Sequence, residues 1–141
     1  MIEKKELLKI VVIILVVAAG ITGYITYKNY RMSQMDKYMI QASQLTPEYN
    51  MTLREATAYA TAGNYDMAIV KIDKLIKMTD EIVSLQWKAH QYADGPYKAI
   101  IELILERNHL YRQSLELWKE QLECLKMGGL RDGARAGEPD Q

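Results

Sequence analysis

Eighteen residues from Ile10 to Tyr27, IVVIILVVAAGITGYITY, carry no charge, and that run constrains the chain more than any other feature. As a helix rising about 1.5 Å per residue it covers roughly 27 Å, close to the ~30 Å hydrocarbon core of a bilayer. Val and Ile are mediocre helix formers in water, but in lipid every backbone polar group must bond internally, so helix is the spanning state. Tyr24, Tyr27 and Tyr30 recur every three residues at the far end and suit the headgroup level, while Lys4, Lys5 and Lys9 mark the near interface. A cleaved leader would use Ile10–Val17 as its apolar region and Ala18-Ala19-Gly20 as its cleavage site, yet the apolar run continues past those small residues. The expectation is an uncleaved, single-pass transmembrane helix over 10–27 behind a short basic flank, 1–9.

Orientation is less constrained. Lys4, Lys5 and Lys9 before the span balance Lys28, Arg31 and Lys37 after it, so the positive-inside rule gives a tie. A short tail, one span and a larger domain make the layout of a signal anchor. The favoured topology therefore has a cytoplasmic N-terminus and the domain outside. Asn50-Met51-Thr52 fits a glycosylation sequon and agrees with it weakly. Ala19 and Gly23, four apart, form a small-xxx-small pair at which a second helix could approach.

Beyond the span, Pro and Gly divide the chain into helices. Residues 28–45 contain no breaker, and Met35, Tyr38, Ala42 and Leu45 form a stripe at helical spacing, so the span is expected to continue as a stalk. Thr46-Pro47 reads as an N-cap followed by a first-turn proline, opening a helix that Gly63 ends. Tyr65, Ala68, Ile72, Leu75, Thr79 and Ile82 then alternate by three and four, and Asp94-Gly95-Pro96 closes that stretch. From Pro96 the row Tyr97, Ile101, Ile104, Asn108, Tyr111, Leu115, Trp118, Leu122 and Leu125 follows a strict heptad alternation. A second row, Ile100, Leu103, Leu110, Leu117 and Cys124, is read as widening the buried face to the breadth of a bundle core. Asn108 is the one polar residue of the first row: it either selects register from inside the core or sits at a wet edge. The glycine-rich tail 128–141 is expected to be disordered. No segment alternates at strand period, so the fold class is all-α: a transmembrane helix with stalk, then an antiparallel helical bundle over 46–127.

Ala60-Thr61-Ala62-Gly63-Asn64-Tyr65-Asp66-Met67-Ala68-Ile69, followed by Lys74-Leu75-Ile76-Lys77-Met78, resembles a tetratricopeptide repeat at the turn between its two helices. Ala56, Tyr59 and Ala68 match the small and aromatic positions of that family, and Ile72 stands at its large apolar one. The family's Trp falls on Thr52, its Leu on Glu55, its later Ala on Leu75 and its closing Pro on Asp80. Gly95-Pro96-Tyr97-Lys98-Ala99-Ile100 partly echoes the same turn, so the resemblance covers at most residues 49–106. It implies a stack of helical hairpins that binds protein segments. Whether the stretch from Asn64 breaks near Thr79-Asp80 or runs on to Ala93 stays open.

Material for catalysis is sparse. The charges balance at 18 basic and 18 acidic residues, so no long-range field gathers nucleic acid. Cys124, the single cysteine, has no intramolecular disulfide partner, and as a member of the second apolar row it is expected in the core. Glu106 and His109 have E-x-x-H spacing but no second such pair, and they lie off the apolar stripe. His90 falls in register with Ile69, Ile76 and Val83 and reads as a half-buried structural histidine. The methionines Met32, Met35, Met39 and Met51 read first as packing residues and second as an adaptable contact surface. The expectation is a non-enzymatic, membrane-anchored protein–protein interaction module with no cofactor and no metal. It would be an assembly factor or accessory subunit with protein partners, and Tyr49, Tyr59, Tyr65 and Tyr92 would be its partner-facing aromatics. The rival expectations are a receptor-like bundle holding a small apolar ligand near Trp87, His90 or Trp118, and a spacer that self-associates through the span and the last helix.

Overall fold

The structure, a computed structural model, describes the backbone of residues 3–136 and the side chains of residues 3–129. Four helices follow one another, α1 Lys4–Gln44, α2 Thr46–Thr61, α3 Tyr65–Tyr92 and α4 Pro96–Ala136, with no strand among the described residues. The apolar run and the stalk are a single helix of 41 residues, about 60 Å at 1.5 Å per residue. Every residue of it through Tyr30 is exposed, and the bundle begins at half-buried Arg31. The stripe foreseen on the stalk is the packed face: Met35 and Ala42 are buried, Tyr38 and Leu45 half-buried.

The junction between α1 and α2 departs from expectation. Thr46 is the first helical residue rather than the cap. Leu45 caps both helices in a right-handed helical conformation, φ −81° and ψ −15°, with its N–H turned back to the carbonyls of Ala42 and Ser43. A helical φ/ψ at the joint lets α1 and α2 follow on with a one-residue interruption. Gly63, at φ +78°, makes the turn into α3, a conformation that a side chain disfavours. Asn64 caps α3 by accepting from the Met67 N–H at 3.3 Å. α3 then runs unbroken through Thr79-Asp80 to Tyr92, because no proline interrupts it.

α3 is the hub. It packs antiparallel against α2 over its first half, against the stalk of α1 over its second, and against α4 along its length. The distal core joins Ala56, Ala68, Ile72, Leu75, Leu115 and Leu122, with Tyr49, Tyr59, Tyr65 and Trp118 packed around it. The alanines Ala56 and Ala68 are fully buried, which brings α2 close to α3. The second core, nearer the apolar run, joins Met35, Ala89, Ala93, Ile101 and Leu105. Ile72 and Leu75 are fully enclosed, each worth about 1.5–3 kcal/mol of apolar burial.

Two expectations about α4 are corrected. Leu103, Leu110 and Leu117 are 66%, 56% and 66% exposed, and Ile100 and Cys124 are exposed with them, so the second row is an outer face rather than core. With α1 and α2 joined end to end, the described residues supply three rods, and none of them remains to cover α4 from outside. The tail also differs. α4 continues through Gly128 and Gly129, neither at positive φ, to Ala136, because glycine weakens a helix without ending one. Residues 137–141 of the expected disordered tail lie outside the described residues.

Candidate functional site

The clearest concavity is a groove of about 390 Å³ between the α1–α2 joint and α4, floored by α3. Met39, Ala42 and Ser43 of α1 and Thr46, Tyr49 and Asn50 of α2 form one wall; Ile104, Arg107 and Tyr111 of α4 form the other. The floor carries Thr79, Ile82, Gln86 and Asn108. Asn108 Nδ2 donates to Gln86 Oε1 at 2.6 Å, with the two residues 8% and 6% exposed. Asn108 is thus a core residue that pairs across the α3–α4 interface, and the bond uses one of the four hydrogen-bonding sites of each amide. Thr79 turns its hydroxyl inward to the Leu75 carbonyl at 2.8 Å, leaving the two amides as the polar feature of the floor.

The groove stays in place because charged pairs hold α3 to its neighbours in register. Asp66, Asp73 and Asp80, seven apart on α3, meet Lys126, Lys119 and Arg112, seven apart and running the other way on α4. Lys119 Nζ lies 2.8 Å from Asp73 and Arg112 Nε 2.7 Å from Asp80. Ten residues further along α3, outside the heptad series, His90 Nε2 is 2.9 Å from Glu102 Oε1. On the other side Glu55 meets Lys71 at 2.7 Å and Glu48 meets Lys74 at 3.0 Å. The Lys71 hydrogen bond holds the Glu55 carboxyl below its usual range, and the same bond raises the Lys71 ammonium. Exposed pairs of this kind contribute little energy singly; a ladder in one phase penalises every other register. Both series of this ladder are visible in the sequence as seven-residue charge repeats, and only their pairing needs the structure.

At the end nearest the apolar run, Arg31 ties α1 to the α3–α4 turn. Its Nη2 donates to the Gln91 carbonyl at 2.9 Å, its Nη1 to the Tyr27 hydroxyl at 3.1 Å, and its Nε lies 3.4 Å from Asp94 Oδ2 without hydrogen-bond alignment. Lys28 reaches the same carboxylate at 3.8 Å.

The four tyrosines singled out from sequence lie in two places. Tyr49, Tyr59 and Tyr65 are half-buried around the distal core, and of these Tyr49 lines the groove. Tyr92 belongs to the second core, stacked on Tyr38 at 6.1 Å and edge-on to Tyr30 at 6.4 Å. Ala19 and Gly23 are exposed on α1, and no neighbour approaches within 4 Å of a Cβ built at Gly23. Met35 is buried and Met39 half-buried, whereas Met32 and Met51 are 46% and 59% exposed. Trp87 lies 53% exposed beside an open groove of about 410 Å³, edge-on to His90 at 5.2 Å. Trp118 lines another open groove of about 350 Å³. Glu106 and His109 are exposed, and no group of three His, Cys, Asp or Glu side chains converges among the described residues.

No family model, curated protein or solved structure matches this chain.

Proposed function

We propose that this chain is a single-pass, membrane-anchored interaction module, an assembly factor or accessory subunit of a membrane complex rather than an enzyme. The observation that carries the reading is the division of α1, a continuous helix whose apolar 10–27 stretch is exposed throughout while its 31–44 stretch is built into the bundle. Such a rod couples the position of the bundle rigidly to whatever holds the apolar half. Tyr24, Tyr27 and Tyr30, with Lys28 and Arg31 beside them, supply the amphipathic collar that a bilayer interface favours. The domain then projects outward from the membrane, with the N-terminus cytoplasmic.

The groove between the α1–α2 joint and α4 is the surface offered to a protein partner. The sites of the Gln86 and Asn108 amides that their mutual bond leaves over suit the N–H and C=O of a partner backbone, and Tyr49, Met39 and Ile104 supply apolar walls. The resemblance of the sequence Ala60–Ile69 to a tetratricopeptide turn supports the same reading, since that family binds protein segments. Alkaline carbonate extraction tests the anchor, and photo-crosslinking from Met39 and Ile104 in native membranes tests the groove. The expected result is retention in the membrane pellet and one discrete adduct from both groove positions but not from Glu81, which is exposed elsewhere on α3. Release by carbonate would refute the anchor. Identical labelling from Glu81 would refute the groove.

A further inference from the structure

The outer face of α4 is left without a partner by the fold. Ile101, Asn108, Leu115 and Leu122 are buried toward α3. Leu103, Leu110, Leu117 and Cys124 each follow one of them by two residues, about 200° round the helix, and so point away from the bundle. They recur every seven residues and so keep to one side of α4 over its length, a narrow apolar row along which another helix can lie, with polar residues on either flank. We propose that this row is the seat of a second copy of the same chain, paired in parallel and in register through α4. The proposal rests on the membrane-anchored reading above.

Three observations select that occupant. First, two copies anchored by the same span in one bilayer present α4 with the same polarity, so a two-fold axis along the membrane normal brings like residues together. Second, Arg107 and Glu106 flank the row on opposite sides. Parallel pairing in register sets each Arg107 beside the partner's Glu106, whereas antiparallel pairing would set Glu106 and Glu120 against acidic neighbours. Third, the footprint is small. From Ile100 to Cys124 the face is about 36 Å long and about 10 Å wide, near 700 Å² for both copies, below the ~1,200 Å² typical of stable complexes. A freely diffusing partner would be held weakly, while confinement in one membrane raises the effective concentration enough to populate such a contact. Back-to-back α4 helices also separate the two spans by more than a helix diameter, so Ala19 and Gly23 take no part in this contact.

The test uses the full chain purified into phosphatidylcholine vesicles, after carbonate extraction has shown whether it is bilayer-bound. A short bismaleimide should join native Cys124 to its counterpart at least tenfold faster than it joins the reporter His109→Cys placed in a Cys124→Ser background. Leu110→Glu, at an exposed position that leaves the helical fold intact by circular dichroism, should lower the Cys124 yield at least tenfold. Equal rates from the two reporters, or a Cys124 yield indifferent to Leu110→Glu, would overturn the pairing while leaving the anchor standing. A chain extracted by carbonate would remove the anchor and the pairing together.

Discussion

Removing one partner of the Gln86–Asn108 pair tests whether the floor of the groove is built as described. Asn108→Leu keeps the side-chain volume roughly constant but takes the donor away from Gln86 Oε1, which lies 2.6 Å from it in a residue only 6% exposed. An unsatisfied buried acceptor costs about 1–3 kcal/mol. The groove admits water beside the pair, so the lower half of that range applies, about 1–2 kcal/mol. For a bundle of roughly 100 residues this lowers Tm by about 5–15 °C. Gln86→Met should cost a similar amount. The double variant Gln86→Met/Asn108→Leu removes both polar groups, and replacement by apolar groups of like shape is nearly neutral. A double-mutant cycle should therefore return a coupling of about 2–4 kcal/mol, the sum of the two single losses. Thermal unfolding of the full chain in non-ionic detergent, followed by far-UV circular dichroism and by Trp87 and Trp118 fluorescence, gives the four Tm values. A double variant that loses the sum of the two single losses would refute the pairing.

Two glycines make opposite predictions. Gly63→Ala forces a Cβ into φ +78° and should destabilise by about 1–2 kcal/mol, whereas Gly128→Ala, in helix with no atom within 4 Å of the new Cβ, should stabilise α4 by about 0.5–1 kcal/mol. Equal effects in thermal unfolding would refute the α4 extension. The Glu55–Lys71 bond predicts a pH dependence on both sides of neutrality. Glu55 titrates lower folded than unfolded, so its contribution is present above the ordinary glutamate range and is lost as pH falls through its depressed value. Lys71 titrates higher folded, so its contribution is present below the ordinary lysine range and is lost as pH rises through its raised value. Glu55→Gln should flatten the acid limb of a Tm-against-pH curve, and an unchanged acid limb would count against the bond.

Much of the fold is legible in the residue pattern because helix periodicity is local. The stripe on α3 from Ala68 to Thr79 is buried where its three-four spacing requires, and Gly63 and Gly95 mark the turns at positive φ. The heptad charges of Asp66, Asp73 and Asp80 and of Arg112, Lys119 and Lys126 also stand in the sequence as two series, which the structure pairs in antiparallel register. The groove was less accessible, because Gln86 reads as an ordinary surface residue until Asn108 is placed opposite it.

What the sequence by itself determined is therefore the set of helices, their breaks and the uncharged run at 10–27, since each depends on neighbours within about one or two turns of chain. Only the tertiary structure decided which apolar row is covered. Leu103, Leu110 and Leu117 have the same composition and spacing as a core row, and they are exposed because the three rods of the described residues leave the outer side of α4 uncovered. Burial is a property of how many partners surround a helix, and no periodicity within that helix encodes the number.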